Sequence, residues 1–206
     1  MVHQIHKPIN AAIGWARGLG VAILVILLAL ANGRAQVAPS QLPPALQDLF
    51  REGVAAQKAG QLDEAEKAFL KVLEGGGKVA FVYNNLGIVY QQRGDLARAI
   101  AQFREAIRLQ PDYVAPRILL GASLLATRQV PEATRHLERA VKLQPREPLA
   151  RLQLAKAYER AGNAAGVVAQ YRALQEIAPQ DAEYVYQLGN AYLKYAGWCV
   201  QEIARV

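Results

Sequence analysis

Apolar side chains in the middle of the chain fall on helical stripes. Tyr83, Leu86, Gly87 and Tyr90 recur at i, i+3, i+4 and i+7, one face of an α-helix. Arg93-Gly94-Asp95 interrupts that stripe: Gly94 suits a helix exit and Asp95 can cap the next start. A second stripe follows in Leu96, Ala99, Ile100, Phe103, Ala106 and Ile107, and Pro111 stops it. The pattern predicts two antiparallel helices joined by a tight turn.

The same pair returns along most of the chain. Gly53, Gly87, Gly121, Ala155 and Gly189 lie 34 residues apart. Ala65, Ala99, Ala133 and Val167 share that period, as do the bulky Phe69, Phe103, Leu137 and Tyr171. Val72, Ala106, Ala140 and Leu174 form a further column, and Gly77, Pro111, Pro145 and Pro179 another. Each column has a packing reason. Small residues at the first two leave room where one helix crosses the other, and the bulky column fills the gap toward the next unit. The units run 46–79, 80–113, 114–147 and 148–181, with a partial fifth over 182–206. The expected fold is all-α, a solenoid of about four and a half antiparallel helix pairs, each touching only its neighbours.

This motif resembles the tetratricopeptide repeat (TPR) family, and the resemblance covers about residues 46–195. The second unit matches best, with Leu86, Gly87, Tyr90, Gly94, Ala99, Phe103, Ala106 and Pro111 all as the motif wants. Departures are Arg128 at the turn glycine of the third unit, Ala155 and Val167 in the fourth, and Glu52 and Gly77 in the first. The resemblance implies a right-handed superhelix whose first helices line a concave, ligand-binding face.

Nothing in the repeats prepares for the N-terminus. Residues 1–17 carry Lys7 and Arg17 and no acid, and the uncharged run Gly18–Ala31 follows. About 20 apolar residues are needed to span a bilayer, so this shorter run suits a secretory signal. Ala29 and Ala31 make an A-x-A cleavage pattern, and a second cut is possible after Ala35. Residues 1–35 are thus expected to be a signal peptide, or else an uncleaved inner-membrane anchor; either places the array in the periplasm or outside the cell. The absence of a nearby cysteine excludes a lipoprotein signal. Residues 36–45 read as a linker, since Pro39, Pro43 and Pro44 deny them regular hydrogen bonding.

Composition adds little to this picture. Apolar residues at 52% and charged residues at 20% exclude disorder. The formal charge of +7 includes Lys7, Arg17 and Arg34, which precede Gln36 with no acid among them; without that segment it falls to +4. So modest and scattered a surplus gives no case for nucleic acid. The lone Cys199 reads as a small apolar residue. His136 stands alone, with no partners for a metal set. Gly75-Gly-Gly77 lacks the Lys-Ser or Lys-Thr of a phosphate loop, and Asp63, Glu64 and Glu66 sit where a helix N-terminus favours acids. No catalytic residue, cofactor or metal is expected, and the protein is not expected to be an enzyme.

Function then falls to the groove that the resemblance implies. Its candidate residues are Phe50, Phe81, Asn84, Ile88, Gln91, Gln92, Leu125, Lys156, Arg160, Tyr186, Asn190 and Lys194. Phe81, Ile88 and Leu125 are expected to be exposed to apolar side chains of a ligand. Asn84, Gln91 and Gln92 are expected to bond a peptide backbone, and Lys156, Arg160 and Lys194 to meet acids. A carboxylate-clamp subtype is not expected: Asn85 matches its second-repeat asparagine, but Phe50, Val54, Ala115 and Leu119 occupy its other sites. The expected partner is a protein or peptide, the expected role a scaffold or assembly factor; the alternative is the front of a longer protein carrying further repeats or a catalytic domain. In the fifth unit Gln201 and Arg205 stand where small and bulky apolar residues belong, leaving Trp198, Val200, Ile203 and Val206 uncovered. That end is expected to continue, or to be buried against a partner or a second copy.

Overall fold

The computed structural model describes residues 42–205. The expected targeting segment 1–35 and most of the linker lie outside the described residues. Among the described residues the chain forms nine α-helices and no strand. The first helices of successive repeats are α1 (Pro44–Lys58), α3 (Ala80–Gln92), α5 (Val114–Ala126) and α7 (Pro148–Arg160). The second helices are α2 (Leu62–Glu74), α4 (Leu96–Leu109), α6 (Val130–Leu143) and α8 (Ala164–Ile177), and α9 (Ala182–Ile203) closes the order. Each helix packs on the next in sequence, which is the antiparallel solenoid the period predicts.

The small and bulky columns meet inside each pair. Phe69, Phe103 and Leu137 are fully buried. A Cβ at Gly53 would lie 2.7 Å from Phe69 Cε1, one at Gly87 2.6 Å from Phe103 Cε1, and one at Gly121 2.5 Å from Leu137 Cγ. Each glycine is therefore the floor on which the second helix sets its largest side chain. In the first unit Glu52 takes the place of Leu86, Leu120 and Leu154, and it is exposed.

The turns obey backbone chemistry. Asp95 accepts a hydrogen bond from the Arg98 N–H at 3.0 Å, as predicted for a cap, and Asn163 accepts from the Gly166 N–H at 2.9 Å. Gly60, Gly94 and Gly162 end first helices with φ between 71° and 80°. Arg128 holds the same place in the third repeat and is driven to φ 63°, a left-handed conformation that costs a side chain with a Cβ.

Two boundaries differ from expectation. Helix α1 begins at Pro44, inside the expected linker, because proline's fixed φ and missing N–H suit the first turn of a helix. The fifth unit does not turn back at all. Its turn column holds Ala196, a strong helix former, so α9 runs unbroken for 22 residues.

Two substitutions test the packing and the turn. Gly87→Leu should destabilise the array by about 1–3 kcal/mol or more, because Phe103 has nowhere to retreat. Arg128→Gly should stabilise it by about 0.5–1 kcal/mol, the relieved left-handed strain exceeding the extra entropy of an unfolded glycine. Denaturant titration reads both, and an unchanged midpoint for Gly87→Leu would contradict the helix register.

Candidate functional site

A concave face follows from unequal contact between the two sets of helices. First helices touch their counterparts across repeats, α1 with α3, α3 with α5 and α5 with α7, while the backbones of successive second helices stand farther apart. The first helices are therefore the inner layer. All of the predicted site residues lie on first helices or on α9.

The apolar candidates do not form an open surface. Phe81, Ile88 and Leu125, expected to be exposed, are buried, and so is Phe50. Phe81 sets its ring edge-on to Phe50 at 4.9 Å, and Phe50 leans on Phe69 at 5.6 Å. The inner helices approach so closely that residues facing away from their own second helix pack on the neighbouring repeat instead. Asn84 is buried among them, and its Oδ1 has no hydrogen-bond partner among the described residues. Asn85 donates to the Phe81 carbonyl at 2.7 Å, which commits it to its own helix.

The polar candidates form a ladder along the groove. Gln57 Nε2 donates to Gln92 Oε1 at 3.4 Å, 35 residues on. At the same separation the Arg160 guanidinium donates to the Leu125 carbonyl, and Lys194 Nζ meets Glu159 Oε1 at 2.5 Å. Ala126 supplies no rung for Gln91, which donates instead to Ser123 Oγ at 3.0 Å; that hydroxyl donates in turn to the Leu119 carbonyl. Gln91, Gln92, Arg160 and Lys194 thus tie successive first helices together as well as facing the groove.

The C-terminal part of the face is cationic and hollow. Lys156 is half-buried on α7; burial first, and the neighbouring Arg160 second, hold its ammonium below the usual lysine range, with Glu159 opposing. A cavity of about 220 Å³ opens between α7, α8 and α9, lined by Glu159, Gly162, Ala164, Val167, Ala191 and Lys194. The gap has a sequence cause. Ala164 occupies the column filled by Leu62, Leu96 and Val130 in the earlier repeats, so comparing that column would have revealed it. Asn190 is half-buried on α9 and Tyr186 is exposed. His136 lies on α6, in the outer layer; burial and the nearby Arg117 hold its imidazole below the usual range, against the opposing Glu132 carboxylate 3.6 Å away.

Stacked antiparallel helix pairs with an inner layer of first helices define an α-solenoid. The tetratricopeptide repeat family matches the chain over residues 49–112, and again over 90–148 and 124–190. The chain belongs to that family. It is 36% identical over 73 residues to the tetratricopeptide repeat domain-containing protein PYG7, chloroplastic, of Arabidopsis thaliana, a stretch covering 35% of this chain and 24% of that protein. Among solved structures, MamA superposes with a TM-score of 0.68 at 21% identity over 73% of this chain and 82% of its own. YrrB, described as a TPR protein with an unusual peptide-binding site, superposes at 0.64 with 24% identity over 72% of this chain and 76% of its own. At these identities the likeness to the solved structures is one of fold.

Proposed function

We propose that the protein is an extracytoplasmic scaffold that binds a peptide segment of another protein on its concave face, and that it catalyses no reaction. The ligand is an extended segment with acidic side chains near the C-terminal end of the groove and an apolar side chain for the cavity beside Ala164. Lys156 carries this reading. Its cation is disfavoured by burial and by Arg160, and only Glu159 opposes them. A folded protein gains by neutralising such a group, so its presence on the inner face fits a site completed by a ligand carboxylate.

Stability and binding should separate at this residue. The folded state lowers the pKa of Lys156, so the unfolded chain binds its proton more tightly. The cation therefore costs stability at neutral pH, a cost regained as pH rises through the lowered pKa toward 10.5. Lys156→Met should raise the melting temperature while weakening acidic peptides, selected from a displayed peptide library against the full chain, by about tenfold or more. Arg135→Met on the outer layer should do neither. Selection of basic peptides, or equal losses from both variants, would overturn the reading.

Export rests on the apolar run Gly18–Ala31 behind Lys7 and Arg17, with small residues at Ala29 and Ala31. Cell fractionation with N-terminal mass spectrometry should find the protein outside the cytoplasm, beginning near Asn32 or Gln36. An intact Met1 in the soluble cytoplasmic fraction would refute export.

A further inference from the structure

Helix α9 starts as the first helix of a repeat but receives no second helix from the described chain. One side of it is in place: Leu188 and Ala191 pack on Val167 and Val168 of α8. The side that other first helices give to their second helix is open. A Cβ at Gly189 would meet nothing within 4 Å, whereas one at Gly53, Gly87 or Gly121 would strike Phe69, Phe103 or Leu137. Beside Gly189 on the helix Val185, Tyr186, Leu193 and Val200 stand in solvent, Leu193 being 74% exposed; Tyr186 and Leu193 hold the columns of Phe50 and Gln91, which in earlier repeats meet the next first helix and here meet nothing among the described residues. This is an apolar strip about 23 Å long.

The repeats themselves show what covers such a face. In each of the first three an antiparallel helix sets a large apolar residue over the glycine. The covering helix α4 presents Leu96, Ala99, Phe103 and Ala106; α9 carries Tyr186, Gly189, Leu193 and Ala196 at identical spacing. Helix α9 is thus both a first helix lacking its cover and a helix patterned to be one.

We propose that this face is closed by α9 of a second copy of the chain, packed antiparallel, giving a two-fold dimer. Seating Leu193 of one copy over Gly189 of the other, as Phe103 sits over Gly87, makes the pairing self-complementary. The two-fold axis that forms one Leu193–Gly189 contact forms its mate at once. Running the antiparallel register outward sets Tyr186 against Ala196, Val185 against Gly197 and Val200 against Ala182. A large residue faces a small one in every layer, and no layer holds a charge, so closure desolvates no ion. A lipid surface fits worse. The helix's charged residues, Glu183, Lys194 and Glu202, sum to a negative charge, whereas membrane-surface helices are rich in lysine and arginine.

Sedimentation velocity of the full chain tests the proposal, with every variant sharing the same N-terminal segment so that differences report α9. The wild type should be a dimer at micromolar concentration. Leu193→Glu should weaken association by about thirtyfold or more. Gly189→Leu fills the receiving hole and should also give monomers, yet it should melt no lower than monomeric Leu193→Glu, because nothing lies against Gly189 within one chain. Gly87→Leu serves as the contrasting control that loses stability. A wild type monomeric at every concentration, a dimer that survives both α9 substitutions, or binding of the monomer to phosphatidylcholine vesicles that Leu193→Glu abolishes would each overturn the assignment.

Discussion

A large apolar side chain seated on a glycine is the contact on which the architecture depends. Where Phe103 covers Gly87, the ring lies directly on the glycine, so close that a Cβ there would come within 2.6 Å of it. That approach fixes how the pair crosses, and repeating it every 34 residues sets how each pair rotates against the next. Curvature, the inner layer of first helices and the groove all follow from it. The fourth repeat has a buried Ala155 in the glycine's place, and its bulky-column Tyr171 is half-buried against Val167, Val168, Leu188 and Ala191.

The inner face does two jobs with one set of side chains. Rungs joining residues 35 apart hold neighbouring first helices in register, and the same amides and cations border the groove. Such pairs are individually weak where they meet solvent, so the ligand proposed above would exchange its own hydrogen bonds for theirs at small cost. Beneath them Phe50, Phe81 and Ile88 form a dry seam between repeats. The groove is thus a polar, exchangeable surface over a fixed apolar floor. Toward its C-terminal end Lys156 and the hollow left by Ala164 break that uniformity, and specificity is most easily built where the repeat is least regular.

Outer-layer contacts are more settled. The Tyr90 hydroxyl donates to Glu66 at 2.8 Å, and the Arg98 guanidinium lies 4.4 Å over the Tyr90 ring, linking the first and second repeats. Arg93 bonds both Asp63 and Glu66 in the same cluster. Arg104 and Glu132 join α4 to α6 at 2.8 Å. Charges satisfied in this way have little to offer a ligand, which separates the outer layer from the under-compensated Lys156 inside.

Much of this was legible in the order of residues, and the reason is the range of the contacts. Gly87 with Phe103, Asp95 with the Arg98 N–H and the left-handed turn at Gly94 all lie within one repeat, so a fixed sequence spacing specifies each of them. The 34-residue period, the helix pairs and the turns could therefore be read directly. Exposure on the inner face could not. Phe81, Ile88 and Leu125 occupy columns that point away from their own second helix, yet they are buried because the neighbouring first helix closes over them. How near it comes depends on the rotation accumulated between repeats, a property of the assembled solenoid rather than of any one column. The unbroken run of α9 through Ala196 was likewise decided in three dimensions: with no second helix to pack on Gly189, nothing offset the local preference of those residues for continuing the helix. Sequence alone determined the repeat and its internal contacts; the tertiary structure decided which inner side chains remain free, because that turns on the distance between helices that no single repeat contains.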